Sequence, residues 1–158
     1  MLSTTSQYAL RALCHLARQS GEPVLGRDLA DSAEVPANYL SKVLLTLRNA
    51  GLVETSRGSG GGYRLRKAAS EIRLIEVVEL FDEISATTSS CFLGRTRACS
   101  ETAPCTAHSR WRGVLAAYLD FLKSTPLSAI TGTPEDFWTS SGAGMPASDN
   151  DNRTHHGG

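Results

Sequence analysis

Four glycines in five residues, Gly58-Ser59-Gly60-Gly61-Gly62, most narrow what this chain can build. Glycine loses more backbone freedom on ordering than any other residue, so the run fits neither a helix nor a strand interior. Short strand-like runs flank it at residues 52–56 and 63–66. The arrangement predicts a β-hairpin with a glycine-rich tip. Just upstream, residues 37–50 carry Leu40, Val43, Leu44 and Leu47 at i, i+3, i+4 and i+7, and Gly51 supplies a helix terminator. Two further helices are predicted. One spans residues 5–18, with Ala9, Ala12, Leu13, Leu16 and Ala17 on one face; the other spans 27–34, with Leu29, Ala30 and Ala33 inward. Gly21-Glu22-Pro23 and Val35-Pro36 separate them. Three helices followed by a hairpin is the order of a winged helix-turn-helix: a mainly α fold with a two-stranded wing.

Charge supports a local nucleic-acid surface. The 158 residues balance 16 Lys+Arg against 16 Asp+Glu, which excludes a generally basic coat. Yet residues 1–70 hold nine basic against five acidic side chains, and residues 35–67 hold six (Lys42, Arg48, Arg57, Arg64, Arg66, Lys67) against Glu54 alone. A neutral protein with one basic sub-region fits a DNA-binding module on a non-binding body. In the third helix Asn38, Tyr39, Ser41 and Lys42 offer groups suited to base edges in the major groove, with Arg48 further along. At the wing, Arg57 can reach a minor groove, and a tip of Ser59 and Gly60 lets backbone amides approach phosphates.

Beyond the hairpin a helix is predicted at residues 74–81, with Leu74, Val77, Val78 and Phe81 on one face. A Ser/Thr-rich loop follows at 85–103. The strongest helical pattern runs from 104 to 123, where Trp111, Val114, Leu115, Tyr118, Leu119 and Leu122 make an apolar stripe. The expected organisation is a DNA-binding domain at 1–84, a cofactor loop at 85–108, a dimerisation helix and anchor at 104–138, and a disordered tail at 139–158. No apolar run is long enough to span a bilayer, and residues 1–20 do not read as a signal peptide. A reducing cytoplasm is expected, so the four cysteines are not read as a disulfide frame.

Three of those cysteines and a histidine form a second constellation, Cys91-x7-Cys99-x5-Cys105-x2-His108. Thiolates are soft donors that suit iron–sulfur clusters, zinc or copper(I). Cys105 and His108 stand three apart at the expected helix start, so both are expected to face the same way. A Cys3His set would also close a tetrahedral zinc site. Zinc fingers that read RNA interleave aromatics with their ligands, and here Phe92 stands alone. Cys14, between Leu13 and Leu16, reads as a small buried hydrophobe. His155-His156 falls in the polar tail and reads as a chance pair.

These segments resemble the winged-helix iron–sulfur regulators that include IscR and NsrR. The likeness is carried by Tyr8-Ala9-Leu10-Arg11-Ala12-Leu13, by Tyr39-Leu40-Ser41-Lys42-Val43-Leu44, and above all by Leu47-Arg48-Asn49-Ala50-Gly51-Leu52-Val53 with Arg57–Leu65. It covers residues 1–130. It implies a homodimer in which the long helix crosses its partner's copy and buries the stripe from Trp111 to Leu122. It further implies a repressor of near-palindromic double-stranded DNA, responding to iron, redox state or nitric oxide through a cluster on Cys91, Cys99 and Cys105. Two features depart from the family pattern. The seven-residue gap between the first two cysteines is longer than usual, and Gln7 stands about where one branch has an acidic ligand. Neutral Gln is a poor iron ligand, which favours His108 and a 2Fe–2S cluster over 4Fe–4S. The remaining alternatives are a structural zinc site and a metal-free thiol switch. No Ser/His/Asp set, phosphate-binding loop or dinucleotide fingerprint is present, so an enzyme is not expected.

Overall fold

The computed structural model describes residues 2–58, 61–84, 91–94 and 99–132. Helix α1 is Thr4–Arg18, α2 is Gly26–Ser32 and α3 is Ala37–Asn49. Strands β1 (Val53–Ser56) and β2 (Gly62–Leu65) pair antiparallel, from Val53 opposite Leu65 to Ser56 opposite Gly62. The fold is a winged helix-turn-helix. Every apolar position expected on α3 is buried, as are Leu29, Ala30 and Ala33 around α2 and Ala9, Ala12, Leu13 and Leu16 on α1. Each fully buried leucine contributes roughly 1.5–3 kcal/mol relative to an exposed one. Gly51 takes φ +74° and its N–H bonds the Arg48 carbonyl, closing α3 in the left-handed region that favours glycine.

The turn between α2 and α3 places Glu34, not a glycine, at φ 52°. Such a conformation is uncommon for a side chain with a Cβ, and its neighbours hold it. Arg11 Nη2 on α1 donates to the Glu34 carbonyl at 2.9 Å, and Arg11 Nη1 lies 3.6 Å from the Glu34 carboxylate. The Val35 N–H closes the turn on the Ala30 carbonyl. Helix α1 thus sets the angle between the two helices that follow.

The wing glycines have two different jobs. Gly58 adopts φ +120° with open space around it, as a tip requires. Gly61 and Gly62 are packed instead. A Cβ on Gly61 would stand 2.7 Å from the Ser56 carbonyl, and one on Gly62 would collide with the Val24 backbone. That approach exists because Val24 and Tyr63 exchange backbone hydrogen bonds, both at 2.8 Å. The linker before α2 therefore adds a third, bridge-length rung to the wing.

Helix α4, Leu74–Val78, is shorter than the periodicity suggests; turns carry the chain on through Phe81, which is only half-buried. Helix α5, His108–Ser124, begins four residues later than expected. Pro104 and a turn closed by the His108 N–H on the Cys105 carbonyl precede it. The end of α5 and the 3-10 turn Leu127–Ile130 return to the body. Leu127 N–H bonds the Ile72 carbonyl at 2.7 Å, Leu74 N–H bonds Thr125, and Leu122 and Leu127 enter the same buried cluster as α1–α4. The α5 stripe is split. Leu115 and Leu122 are buried and Trp111, Tyr118 and Leu119 half-buried, but Val114 is 57% exposed, as is Phe121 outside the stripe at 49%, because only one side of α5 meets the body. Phe137, Trp138 and the expected tail lie outside the described residues.

Candidate metal centre and nucleic-acid interface

Burial of Leu40, Val43, Leu44 and Leu47 leaves one face of α3 to solvent. Asn38, Tyr39, Ser41, Lys42 and Arg48 are all exposed on it. Tyr39 is held edge-on to Tyr8 of α1 at 6.1 Å, and the Arg11 guanidinium lies 5.1 Å from the Tyr8 ring centre. Ser41, Leu45 and Arg48 share with Tyr63 a shallow hollow of 220 Å³ between α3 and the wing. The expected α3 residues and the wing base at Arg57 therefore lie on exposed surface, while Ser59 and Gly60 lie outside the described residues. The basic excess is smaller than the count of side chains suggests. Arg64 pairs with Glu54 at 2.7 Å and Lys67 with Glu76 at 3.8 Å. No ion pair involves Lys42, Arg48, Arg57 or Arg66 among the described residues. Tyr8, Arg11 and Tyr63 lie in the segments that carry the family resemblance but had no role assigned there, because their roles arise only when separate elements meet.

The second site lies where the loop after α4 reaches the start of α5. Cys91, Cys99 and Cys105 converge with their sulfurs all within 4.8 Å of one another, each half-buried. The Cys91–Cys105 Sγ distance is 3.9 Å. His108 joins from the first turn of α5, with Nδ1 at 3.1 Å from Cys99 Sγ and Nε2 at 3.2 Å from Glu101 Oε1. Its side chain is 12% exposed. The expectation that Cys105 and His108 share a helical face is corrected. Cys105 lies in the turn before α5, and the histidine contact falls on Cys99, because the helix begins only at His108. Phe92 packs on Trp111 with ring centres 5.2 Å apart, tying the loop to α5.

The donor set fits a soft metal or an iron–sulfur cluster: three thiols and an imidazole at one shielded point. A backbone hydrogen bond from Cys105 lowers the pKa of the Cys99 thiol, but desolvation and the adjoining Cys105 and Cys91 sulfurs outweigh it, and the thiol stands above its ordinary value. Packed sulfurs resist becoming thiolates together, and a bound cation removes that resistance. Cys14 differs. Burial pushes its thiol up, against a smaller opposing effect of Arg18, and it donates to the Ile130 carbonyl at 3.6 Å. It stands on α1 beside the 3-10 turn, half-buried at the edge of the core rather than fully buried as expected.

Comparison with known proteins decides the family. Residues 2–133 match the Rrf2 family, described as "Iron-dependent Transcriptional regulator". The chain belongs to the Rrf2 family. It is 35% identical over 135 residues to the HTH-type transcriptional regulator IscR of Photorhabdus laumondii, covering 85% of this chain and 80% of that one. It is 37% identical over 130 residues to the HTH-type transcriptional regulator NsrR of Bacillus licheniformis, covering 82% and 90%. The solved structure of T. potens IscR superposes with a TM-score of 0.62 at 22% identity, covering 93% of each chain, which speaks to the fold. This Rrf2 protein is accordingly a transcriptional regulator and not an enzyme. Among the described residues, no helix is long and apolar enough to cross a membrane.

Proposed function

We propose that this Rrf2 regulator is a cytoplasmic repressor that senses iron supply, redox state or nitric oxide through an iron–sulfur cluster. Cys91, Cys99 and Cys105 would hold it, with His108 as fourth ligand. The observation that carries this reading is the convergence of three thiols from a fifteen-residue stretch to within 4.8 Å, beside an imidazole. When bound, the group supplies electron and ligand exchange. The imidazole ligand and the neutral Gln7 favour 2Fe–2S; 4Fe–4S is the alternative. The chain's own residues do the rest: Phe92 on Trp111 joins the loop to α5, and α5 packs on the body through Tyr118 and Leu122.

The same reading makes the protein a homodimer on a near-palindromic double-stranded DNA site. The exposed Val114 and Phe121, one helical face apart from the buried Leu115 and Leu122, support a partner helix there. Asn38, Tyr39, Ser41 and Lys42 would meet base edges; Arg48, Arg57 and the tip residues Ser59 and Gly60 would meet backbone or minor groove. Contacts run from α5 to α4, from α4 to α1 and from α1 to α3. A cluster-linked shift of α5 passed along these contacts would change DNA affinity by a coupling free energy of ~1–3 kcal/mol. The test is anaerobic reconstitution followed by iron, sulfide and zinc analysis, with DNA affinity measured for the loaded and metal-free forms. Equal affinities would overturn the sensor reading.

A second reading, a single structural zinc, agrees with one distance, as a tetrahedral cluster iron would. A tetrahedral ion at about 2.3 Å from each thiolate puts sulfurs about 3.8 Å apart, and Cys91 and Cys105 stand at 3.9 Å. Stoichiometric zinc with no sulfide in protein purified without oxygen would establish it.

A further inference from the structure

The carboxylate between the second and third cysteines has no part in the donor set, yet it contacts the histidine. Glu101 Oε1 lies 3.2 Å from His108 Nε2, on the side of the ring away from the thiols, while Nδ1 lies 3.1 Å from Cys99 Sγ. Arg112, one turn beyond His108 on α5, places its Nε 3.7 Å from the same carboxylate oxygen. An ionised carboxylate can only accept, so the hydrogen of that bond belongs to Nε2. In a neutral imidazole the lone pair then sits on Nδ1, the nitrogen facing the sulfurs. A histidine that binds metal through one nitrogen is commonly oriented by a carboxylate on the other.

We infer that Glu101 is the positioning residue that presents His108 Nδ1 to the metal, held in its turn by Arg112. This inference rests on the proposal that His108 is a ligand. Glu101 is 79% exposed, so water screens its bond and its effect is modest beside that of a thiolate. Loss of an outer partner of this kind costs on the order of 10-fold in metal affinity. Removing Arg112 has a smaller effect in the same direction.

Zinc(II) serves as a probe that needs no cluster. In the full-length protein loaded with zinc, nitrogen-15 spectra of the imidazole are expected to show His108 bound through Nδ1 with hydrogen on Nε2. Competition against a chromophoric chelator should show Glu101→Ala weakened about 10-fold towards the level of His108→Ala. Glu101→Gln, which keeps a carbonyl acceptor, should recover part of the loss. Three results would overturn the inference: zinc on Nε2, wild-type affinity and an unchanged ring spectrum in Glu101→Ala, or wild-type affinity in His108→Ala. Iron and sulfide content of the reconstituted wild type judges the cluster reading separately, and its failure leaves the zinc result standing.

Discussion

The winged-helix half and the cysteine loop are held together by different forces. Among the described residues, the buried cluster runs from Ala9 to Val78 and resumes at Leu122 and Leu127, and the loop between contributes none. Helix α3 is fixed by buried side chains, the wing's root by buried Val53, and both by the Arg11–Glu34 clasp and the Val24–Tyr63 rung. The loop is held by a few contacts among half-buried or exposed groups: Cys91 with Cys105, Cys99 with His108, and the 63% exposed Phe92 with Trp111. Burial is non-directional and indifferent to redox state, whereas thiols and imidazole answer to whatever binds them. A region of the first kind can keep its shape while one of the second kind changes, which is the division of labour that the proposed sensor function requires.

The largest effect should fall on the loop alone. Cys91→Ser, Cys99→Ser or Cys105→Ser exchanges a soft thiolate for a hydroxyl that stays protonated near neutrality. Each should abolish visible absorption after anaerobic reconstitution, while the unfolding midpoint of the metal-free protein stays at the wild-type value. Cys14→Ser should keep the absorption. If the loop variants lost helix content as well, the two regions would not be separable.

DNA affinity should next report on the other region. With about 6–8 phosphate contacts per dimer, it should fall ~10³-fold or more between 50 and 200 mM salt. A flat response in fluorescence anisotropy would remove α3 and the wing as the DNA face. Arg57→Ala should weaken binding roughly 10-fold and leave iron and sulfide content unchanged, since wing and cysteine loop lie in different parts of the chain.

Leu47→Ala empties a site that is 0% exposed and should cost about 2–5 kcal/mol in chemical denaturation. Metal loading should persist wherever the fold does. A cost below about 1 kcal/mol would mean that the core is not what orders α3.

The smallest effect concerns the joint between α1 and the start of the loop. Asp82 accepts from the Ser3 N–H at 3.1 Å and from Ser6 Oγ at 2.8 Å. Partial burial alone would raise its pKa, but the bonds from Ser3 and Ser6 outweigh this and hold it below the ordinary carboxylate value. The sign follows. The contribution is fully present above the unfolded pKa of about 3.9 and is lost as pH falls through the lower folded value. Asp82→Asn should therefore cost ~1 kcal/mol at neutral pH, with the difference from wild type vanishing in acid. A difference that grows in acid would contradict the assignment.

What was legible in the sequence follows from the range of the interactions concerned. The α3 face, the Gly51 terminator and the hairpin depend on neighbours within a few positions, and each stands where its pattern placed it. The start of α5 did not, because helical periodicity continues through Pro104–Ala107 while a turn on the Cys105 carbonyl takes that stretch. The cysteine spacing named the donors but not their order in space. His108 lies on Cys99, nine residues away, rather than on Cys105, three away.

By itself the amino-acid order determined which side chains must leave water, where the chain must turn, and that soft donors lie within one short stretch. Those are properties of a residue and its near neighbours. Only the tertiary structure decided that Gly62 is required by the Val24 backbone and that Arg11 holds the turn at Glu34. It alone split the α5 stripe into buried Leu115 and exposed Val114, and put Glu101 behind the His108 ring. Each of those depends on the approach of elements that no local pattern relates, and that approach is set by packing of the whole core.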